Sequence, residues 1–246
     1  MTIPGVALPG VEIRHVARCG STNSVLLAQA PAAPTLLVAA EQTAGRGRRG
    51  RRWLGTPGDG LSFSLARRLR RPLRELAALS LVAGVATARA LRALGVPAEL
   101  KWPNDLVAGG GKLGGILVET RAAGRETLVV FGIGINLRGA QALSRRLRRP
   151  VASLDQFVDL SDGNVVLQKI VAALLNAVDA FEAEGFEAAK KEWEAMHAHA
   201  GQRVKVRLAD GRSVTGIANG LDADGALSLR TRRGIRSIRS GTVRGA

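Results

Sequence analysis

The residues best suited to chemistry begin with a basic, glycine-rich segment at positions 45–53. It contains five arginines and three glycines and almost nothing apolar. Glycine lets a backbone approach a ligand closely, and the guanidinium group of arginine binds phosphate or carboxylate in a bidentate manner. This composition predicts a mobile loop whose partner is an anion, and a solvated basic loop is the plainer alternative for the segment taken alone.

Residues 45–50 also match the pattern G-x-G-x-x-G after a predicted strand. A dinucleotide-binding turn of that kind should open a helix and be followed by an acidic residue roughly twenty positions later. Gly55, Pro57 and Gly58 follow instead, and the chain near position 70 is Leu69-Arg70. The context therefore disfavours a Rossmann turn.

Two further candidates lie beside predicted strand ends. Lys112 is in the sequence G-K-L-G-G, where it could hold a positive charge against developing negative charge, or could simply be an exposed lysine at the start of a strand. Asn104 and Asp105 follow Trp102-Pro103 in a turn sequence, and they could face a nucleotide or a metal or serve the turn alone. Both interpretations stay open for each.

Residues 21–23, Ser-Thr-Asn, supply side-chain oxygens that favour a helix N-terminus. The three histidines, His15, His197 and His199, show no metal-site spacing with another obvious ligand. The chain has no G-x-S-x-G elbow and no cysteine–histidine arrangement, so covalent catalysis by the protein is unsupported.

The elements that must position these residues are mixed in order. Strands are predicted at 11–16, 35–40, 61–66, 99–102, 106–107, 113–119 and 127–137, and helices at 22–30, 73–94, 164–184 and 186–199. The absence of a steady β-α-β alternation favours an α+β fold with helices on one side of the sheet.

From residue 201 the pattern changes to short strands, predicted at 203–208, 213–220, 226–230 and 234–238. Asp-Gly pairs at 210–211 and 224–225 separate them and are typical of hairpins. We therefore expect a first domain at 1–200 and a small β-barrel domain at 201–246.

Composition limits the classes of protein. The chain has 246 residues, 46% of them hydrophobic, and a single cysteine, which excludes an internal disulfide and favours a reducing compartment. No apolar stretch of the sequence looks long enough to cross a bilayer, so we expect a cytoplasmic protein with no membrane partner. The net charge of +16 invites a nucleic-acid hypothesis, but the bias toward arginine looks compositional.

Taken together, five motifs carry a resemblance. S-T-N at 21–23, E-Q-T-A-G-R-G-R-R-G-R-R-W at 41–53, K-W-P-N-D-L at 101–106, G-K-L-G-G-I-L-V-E at 111–119 and G-I-G-I-N at 132–136 occur in the order seen in biotin protein ligases. The chain resembles that family from near residue 11 to its end. The resemblance implies an α+β catalytic domain with a mixed or antiparallel sheet, related to class II aminoacyl-tRNA synthetases, followed by a small SH3-like β-barrel.

The resemblance also implies a reaction. The carboxylate of biotin attacks the α-phosphate of MgATP to give biotinyl-5'-AMP, and a lysine of a biotin carrier protein, such as the acetyl-CoA carboxylase carrier subunit, then takes the biotinyl group. ATP, Mg²⁺ and biotin are thus the expected small molecules.

The family pattern distributes roles over this sequence. Ser21, Thr22, Asn23 and Gln42 would hydrogen-bond the ureido ring of biotin, Gly45 would also bind biotin, and Gly114 and Gly115 would give the ligand room. Arg46, Gly47 and Arg48 would close over carboxylate and phosphates, and Lys112 would be the main catalytic residue. Trp53, Lys101, Asn104, Asp105 and Asn136, together with Arg48, would bind ATP, with Asp105 as a candidate for ordering Mg²⁺.

Some family members carry an N-terminal DNA-binding domain, and only about ten residues precede the resemblance here. We therefore expect a short form without repressor function and without specific DNA binding. The basic surface would steer an acidic carrier domain. A homodimer through an exposed edge strand beside the arginine loop stays open.

Two alternatives remain. A lipoate or octanoyl transferase would share the catalytic fold but would not account for the Gly-Arg-Gly-Arg loop. A basic nucleic-acid-binding module would leave the central motifs unused, and three Trp, five Phe and no Tyr provide few surfaces for base stacking.

Overall fold

The computed structural model describes residues 8–55, 57–159 and 163–245. Seven strands form the first sheet, in the order β1-β2-β3-β7-β6-β5-β4. They are β1 (Glu12–Cys19), β2 (Thr35–Gln42), β3 (Gly60–Leu69), β4 (Glu99–Lys101), β5 (Asp105–Ala108), β6 (Gly111–Ala123) and β7 (Glu126–Asn136). Only β1 and β2 pair in parallel, and the remaining neighbours are antiparallel. The predicted mixed sheet is therefore confirmed.

Five α-helices accompany the strands. They are α1 (Thr22–Gln29), α2 (Leu79–Arg92), α3 (Ala140–Leu147), α4 (Gly163–Glu184) and α5 (Glu187–Ala195). The expected helix at 73–94 was wrong in its first part, since Leu73–Ala78 is a 3₁₀ helix that turns Leu73 outward and Leu76 into the core. The prediction missed α3, an eight-residue helix of which only Ala140 is buried.

Helices cover both faces of the sheet, so the expectation of helices on one side was wrong. Successive side chains of a strand point to opposite faces. Leu36 and Val38 of β2 therefore join the main core with α2 and α4, whereas Leu37 joins Leu26 of α1 in a second cluster. The placement of α1 brings its first residues over β3 and β7.

The helix α4 is long and apolar enough to cross a membrane by length and composition, contrary to the expectation from the sequence that no stretch is. Its buried residues, Ile170, Leu174 and Val178 among them, lie in the main core, where the helix packs against α2. Core helices commonly meet the same criteria, so this one is accounted for by packing.

The C-terminal part forms a five-stranded antiparallel sheet in the order β11-β10-β9-β8-β12. Its strands are β8 (Arg203–Arg207), β9 (Ser213–Leu221), β10 (Leu227–Thr231), β11 (Gly234–Ile238) and β12 (Thr242–Gly245). Gly211 and Gly225 have φ values of +84° and +80°, as tight turns between strands require. The sheet fits a small barrel-like domain, but β11 and β12 do not pair to close it within the part of the chain that the structure describes.

The two sheets share one core and are joined by polar contacts. Val204 and Leu227 belong to the same buried cluster as Leu79. Trp102 Nε1 donates to Gly225 O at 3.2 Å, and Leu221 N donates to Glu194 Oε1 at 2.7 Å. The C-terminal sheet is thus fixed against the K-W-P-N-D segment, where the sequence placed candidate site residues.

Candidate functional site

A cavity of about 710 Å³ opens between the first sheet, the arginine-rich loop and the last strand of the chain. The start of α1, the end of β2, the β4–β5 turn and the start of β6 all meet there. Of the predicted site residues, the cavity is lined by Ser21, Thr22, Asn23, Gln42, Arg46, Gly47, Arg48, Trp53, Lys101, Asn104, Asp105, Lys112 and Gly115. Segments far apart in the chain therefore converge on one space.

One end of the cavity is lined mainly by uncharged polar side chains, and the Arg46–Glu119 ion pair lies beside it with its charges balanced. Gln42 Oε1 accepts hydrogen bonds from Thr22 N at 2.8 Å and Thr22 Oγ1 at 3.2 Å. The hydroxyl of Ser64 lies 2.6 Å from both Thr22 Oγ1 and Asn23 Oδ1. Because Gln42 Oε1 is already used, its amide nitrogen is the group that remains to donate to a ligand.

Asn23 is nearly buried, with 3% of its surface exposed. Its Nδ2 donates to Leu117 O at 3.1 Å and to Glu119 Oε2 at 3.0 Å. A Cβ at Gly132 would lie 2.3 Å from Asn23 Oδ1, so this site requires glycine on β7. Ser21 occupies the N-cap position as predicted, but its side chain makes no capping hydrogen bond.

The other end of the cavity is cationic. Lys112 Nζ forms an ion pair with Asp105 Oδ1 across the β5–β6 hairpin and lies 5.8 Å from the centroid of the Trp53 ring. Burial lowers the pKa of Lys101. The negative charge of Asp105 partly offsets this effect, and the positive charge of Lys112 adds to it. Burial, followed by the charge of Arg49, likewise lowers the pKa of Arg48. Partly desolvated cations of this kind favour an anionic ligand.

The arginine-rich loop folds back on itself and is tied to the C-terminal sheet. Arg46 and Arg52 form an isolated antiparallel bridge around a short 3₁₀ turn, Arg48–Gly50. Arg49 Nη2 donates to Ser240 Oγ at 2.6 Å, and Arg51 Nη2 donates to Thr242 Oγ1 at 3.2 Å. Residues 241–245 consequently form part of the cavity wall.

Three predicted site residues do not line the cavity. A Cβ at Gly45 would lie 2.7 Å from Trp53 O, and one at Gly114 would lie 2.7 Å from Gly134 O. Asn136 Nδ2 donates to Lys112 O at 3.1 Å and to Ala152 O at 3.0 Å. The two glycines permit close backbone packing, and Asn136 holds the backbone of Lys112 in place, so the structure gives all three an indirect part.

Several residues at the site escaped the sequence analysis. Ser64 gave no signal because a serine in a predicted strand is ordinary. Gly132 and Gly134 belong to the G-I-G-I-N motif, but the motif does not show that they contact Asn23 and Trp53. Arg149 and the last strand also line the cavity, and nothing local in their sequence connects them to it.

The site does not resemble a resident metal centre. Among residues 8–55, 57–159 and 163–245, no group of three His, Cys, Asp or Glu side chains is arranged to hold a metal ion. Asp105 offers one carboxylate, and Lys112 already pairs with it. The residues present therefore do not fit a protein-held Mg²⁺, although a magnesium ion carried by nucleotide phosphates needs few protein ligands.

A mixed sheet with a cavity that is polar at one end and cationic at the other fits the class of ligases that join a cofactor to a nucleotide. Residues 16–136 match the Biotin/lipoate A/B protein ligase family, and residues 199–244 match the Biotin protein ligase C terminal domain. The chain belongs to the biotin protein ligase family.

Similar proteins support that membership. The chain is 36% identical to the Biotin--[acetyl-CoA-carboxylase] ligase of Mycobacterium tuberculosis over 227 residues, covering 89% of this chain and 83% of that protein. It is 34% identical to the ligase of the same name from Paracoccus denitrificans, covering 93% of this chain and 98% of that protein.

A solved structure shares the fold. The biotin protein ligase from Aquifex aeolicus in complex with biotin and ATP superposes with a TM-score of 0.83 at 29% identity, covering 96% of this chain and 99% of that one. The chain spans 65% of the length of the bifunctional ligase/repressor BirA of Bacillus spizizenii.

Proposed function

We propose that this protein activates biotin with MgATP to biotinyl-5'-AMP and transfers the biotinyl group to a lysine of a biotin carrier protein. The observation that carries the proposal is the division of one cavity into a neutral hydrogen-bonding end and a cationic end. Biotinyl-adenylate has the matching division, with a neutral ureido ring at one end and an anionic phosphate linkage toward the other.

The neutral end suits the ureido ring because it offers both a donor and an acceptor. The amide nitrogen of Gln42 remains to donate to the ureido carbonyl, and Asn23 Oδ1 remains to accept from a ureido N–H. Leaving one such group unpaired costs about 1–3 kcal/mol, which would make these contacts a source of specificity.

The cationic end suits the adenylation step. In that step a carboxylate oxygen of biotin bonds to the α-phosphorus of ATP and pyrophosphate leaves. Lys112 Nζ would neutralise the carboxylate and α-phosphate oxygens as their charge rearranges, and Arg46 and Arg48 would enclose them. Lys101, Asn104 and Asp105 would contact the nucleotide, with Trp53 beside the adenine.

The second step requires no nucleophile from this chain. The amine of the carrier lysine attacks the activated carbonyl, AMP leaves, and the amine loses its proton. Orientation of the two reactants accounts for acceleration in such a transfer. Magnesium would arrive with ATP and reduce the charge on its phosphates.

The partner and the setting follow from the same proposal. An acidic biotin carrier domain would be the acceptor, attracted by the net charge of +16. We also propose that residues 201–246 form an SH3-like domain and that the reaction takes place in the cytoplasm, where the single cysteine, Cys19, would stay reduced.

The test is mass spectrometry of a purified biotin carrier domain after incubation with this protein, biotin and MgATP. We expect an ATP-dependent mass gain of one biotinyl group on the acceptor lysine. Parallel samples without ATP, and with lipoate in place of biotin, serve as controls. Modification by lipoate and not by biotin would overturn the substrate, and no modification by either would overturn the reaction.

A further inference from the structure

Both N–H groups of the Asn23 side chain are already used inside the protein. One donates to the backbone carbonyl of Leu117 and the other to the carboxylate of Glu119, at 3.1 Å and 3.0 Å. Both partners are acceptors only, so rotating the amide by 180° would bring its oxygen against two oxygens. The orientation of the Asn23 amide is therefore set by its surroundings.

This orientation decides what Asn23 offers to a ligand. Only Oδ1 remains, and one side of it is occupied by the hydroxyl of Ser64 at 2.6 Å. Asn23 lines the cavity and can act there only as an acceptor. The complementary ligand group is an N–H donor, such as that of a cyclic urea.

Glu119 makes a second contact with its other oxygen. Glu119 Oε1 pairs with Arg46 Nη2, and Arg46 Nη1 donates to Ser24 Oγ at 3.0 Å. The carboxylate, whose side chain is 22% exposed, thus joins Arg46 of the arginine-rich loop to Asn23 in the cavity wall. Only the two contacts together connect Glu119 both to Asn23 and to the arginine-rich loop.

We propose that Glu119 is a positioning residue for biotin recognition, which fixes Asn23 as an acceptor for a ureido N–H while it holds Arg46 over the same cavity. The inference rests on the proposed function for the identity of the ligand. It concerns how the chain distinguishes a ligand with an N–H donor from one without it.

Glu119→Gln separates the two contacts without a change of shape. Glutamine has one acceptor oxygen, and the charged guanidinium group of Arg46 is the stronger donor to it, so the NH₂ group of glutamine faces Asn23 Nδ2. The hydrogen bond that sets the orientation of the Asn23 amide is then lost, while the contact with Arg46 is kept. We expect biotin to bind the variant about 10- to 100-fold more weakly.

The matched control is Glu126→Gln, at the opposite end of the sheet. Glu126 Oε1 accepts from Arg70 Nε at 3.1 Å, so this variant also removes a glutamate–arginine pair but lies away from the cavity. We expect it to bind biotin like the parent protein. Thermal unfolding of both variants establishes that each is folded.

Calorimetry with biotin and with two analogues, each methylated on one ureido nitrogen, separates positioning from a general structural effect. The parent protein should bind biotin at least tenfold more tightly than one of the analogues. Glu119→Gln should reduce this ratio of affinities severalfold, because the variant weakens the contact of Asn23 Oδ1 with a ureido N–H, which the methylated analogue does not make. Equal weakening of biotin and analogue, unchanged biotin binding, or no discrimination by the parent protein would overturn the inference.

Ligation by the parent protein is measured on the same samples, so that the two proposals fail in different ways. If the parent protein biotinylates the carrier domain and Glu119→Gln behaves like the parent, only the inference about Glu119 is wrong. If the parent protein neither binds biotin nor modifies the carrier, the proposed function is wrong and the inference falls with it.

Discussion

The indole ring of Trp53 lies directly against Gly134 of β7. A Cβ at Gly134 would lie 2.4 Å from Trp53 Cε2 and 2.6 Å from Nε1, which is closer than any side chain tolerates. The Trp53 ring can therefore pack in this position only because residue 134 is glycine. Lys112 Nζ lies 5.8 Å from the centroid of the same ring.

Gly134→Ala should displace the ring and weaken ATP binding. Stacking of a base on an aromatic side chain contributes about 1–3 kcal/mol, so its loss should raise the KM for ATP by about tenfold or more. The rate of pyrophosphate release against ATP concentration measures this. Gly60→Ala is the control, since its Cβ would make an ordinary contact of 3.5 Å with Ile135 O. An unchanged KM in a folded Gly134→Ala protein would contradict the assignment of Trp53 to adenine.

Lys112→Ala should slow adenylation by about 10²–10³-fold, the usual effect of removing one charge-stabilising contact from a transition state. The loss should appear in single-turnover formation of biotinyl-AMP, measured with saturating biotin and ATP. Lys191→Ala, at an exposed position of α5, removes a lysine outside the cavity and should leave the rate unchanged. A loss below about fivefold would remove Lys112 from its proposed role.

Sequence patterns predicted the elements whose signals are local. Alternating strands and Asp-Gly turns identified β8, β9, β10 and β11, and the order of the motifs indicated which segments converge. They did not reveal that Ser64 joins Thr22 to Asn23, because that contact depends on how β3 lies beneath α1. The bond between Arg51 and Thr242 spans 191 positions, and no local pattern encodes such a distance.

The same limit explains the errors. The helix α1 packs through Leu26 on Leu37, Ala66, Leu128 and Val130, which belong to three different strands, so no single segment of the sequence shows on which face α1 lies. The helix α3 has only eight residues and buries only Ala140, so its sequence gives little sign of a core-facing helix. The contact of Asn136 with ATP stays a prediction, and the structure adds that both amide hydrogens of Asn136 are used by backbone carbonyls.

His197 should make the stability of the protein depend on pH. It stacks on Trp193 with ring centroids 4.5 Å apart, and its Nδ1 is buried without a hydrogen-bond partner among the described residues. Burial, with a smaller effect of His199, lowers the pKa of His197 from 6.5 to about 4. As the pH falls, His197 therefore becomes protonated near pH 6.5 in the unfolded chain but only near pH 4 in the folded protein.

The contribution of His197 to stability is consequently complete above about pH 6.5 and is lost progressively as the pH falls toward 4. Between pH 7.5 and pH 5.5 we expect the free energy of unfolding to fall by about 1.3 kcal/mol from this group. Urea unfolding at the two pH values measures the change. His197→Phe keeps a ring against Trp193 and should remove this part of the difference, whereas His15→Gln, at an exposed position, should not. Equal pH dependence in His197→Phe and the parent protein would contradict the prediction.

Ligand binding should protect the arginine-rich loop from trypsin. The bonds that tie this loop to Ser240 and Thr242 involve exposed side chains and contribute little individually, so the loop should open readily without ligand. Biotin with MgATP would place an anion among Arg46, Arg48 and Lys112, and the loop would close over this anion. We expect cleavage at positions 46–52 to slow by at least tenfold when both substrates are present, as mapped by mass spectrometry of timed digests.

Arg232 and Arg233, exposed in the β10–β11 turn, are the internal control, because their cleavage should proceed at the same rate with and without substrates. Equal protection of both segments would indicate a general effect on the protein, and no protection of either would contradict closure of the loop over the ligand.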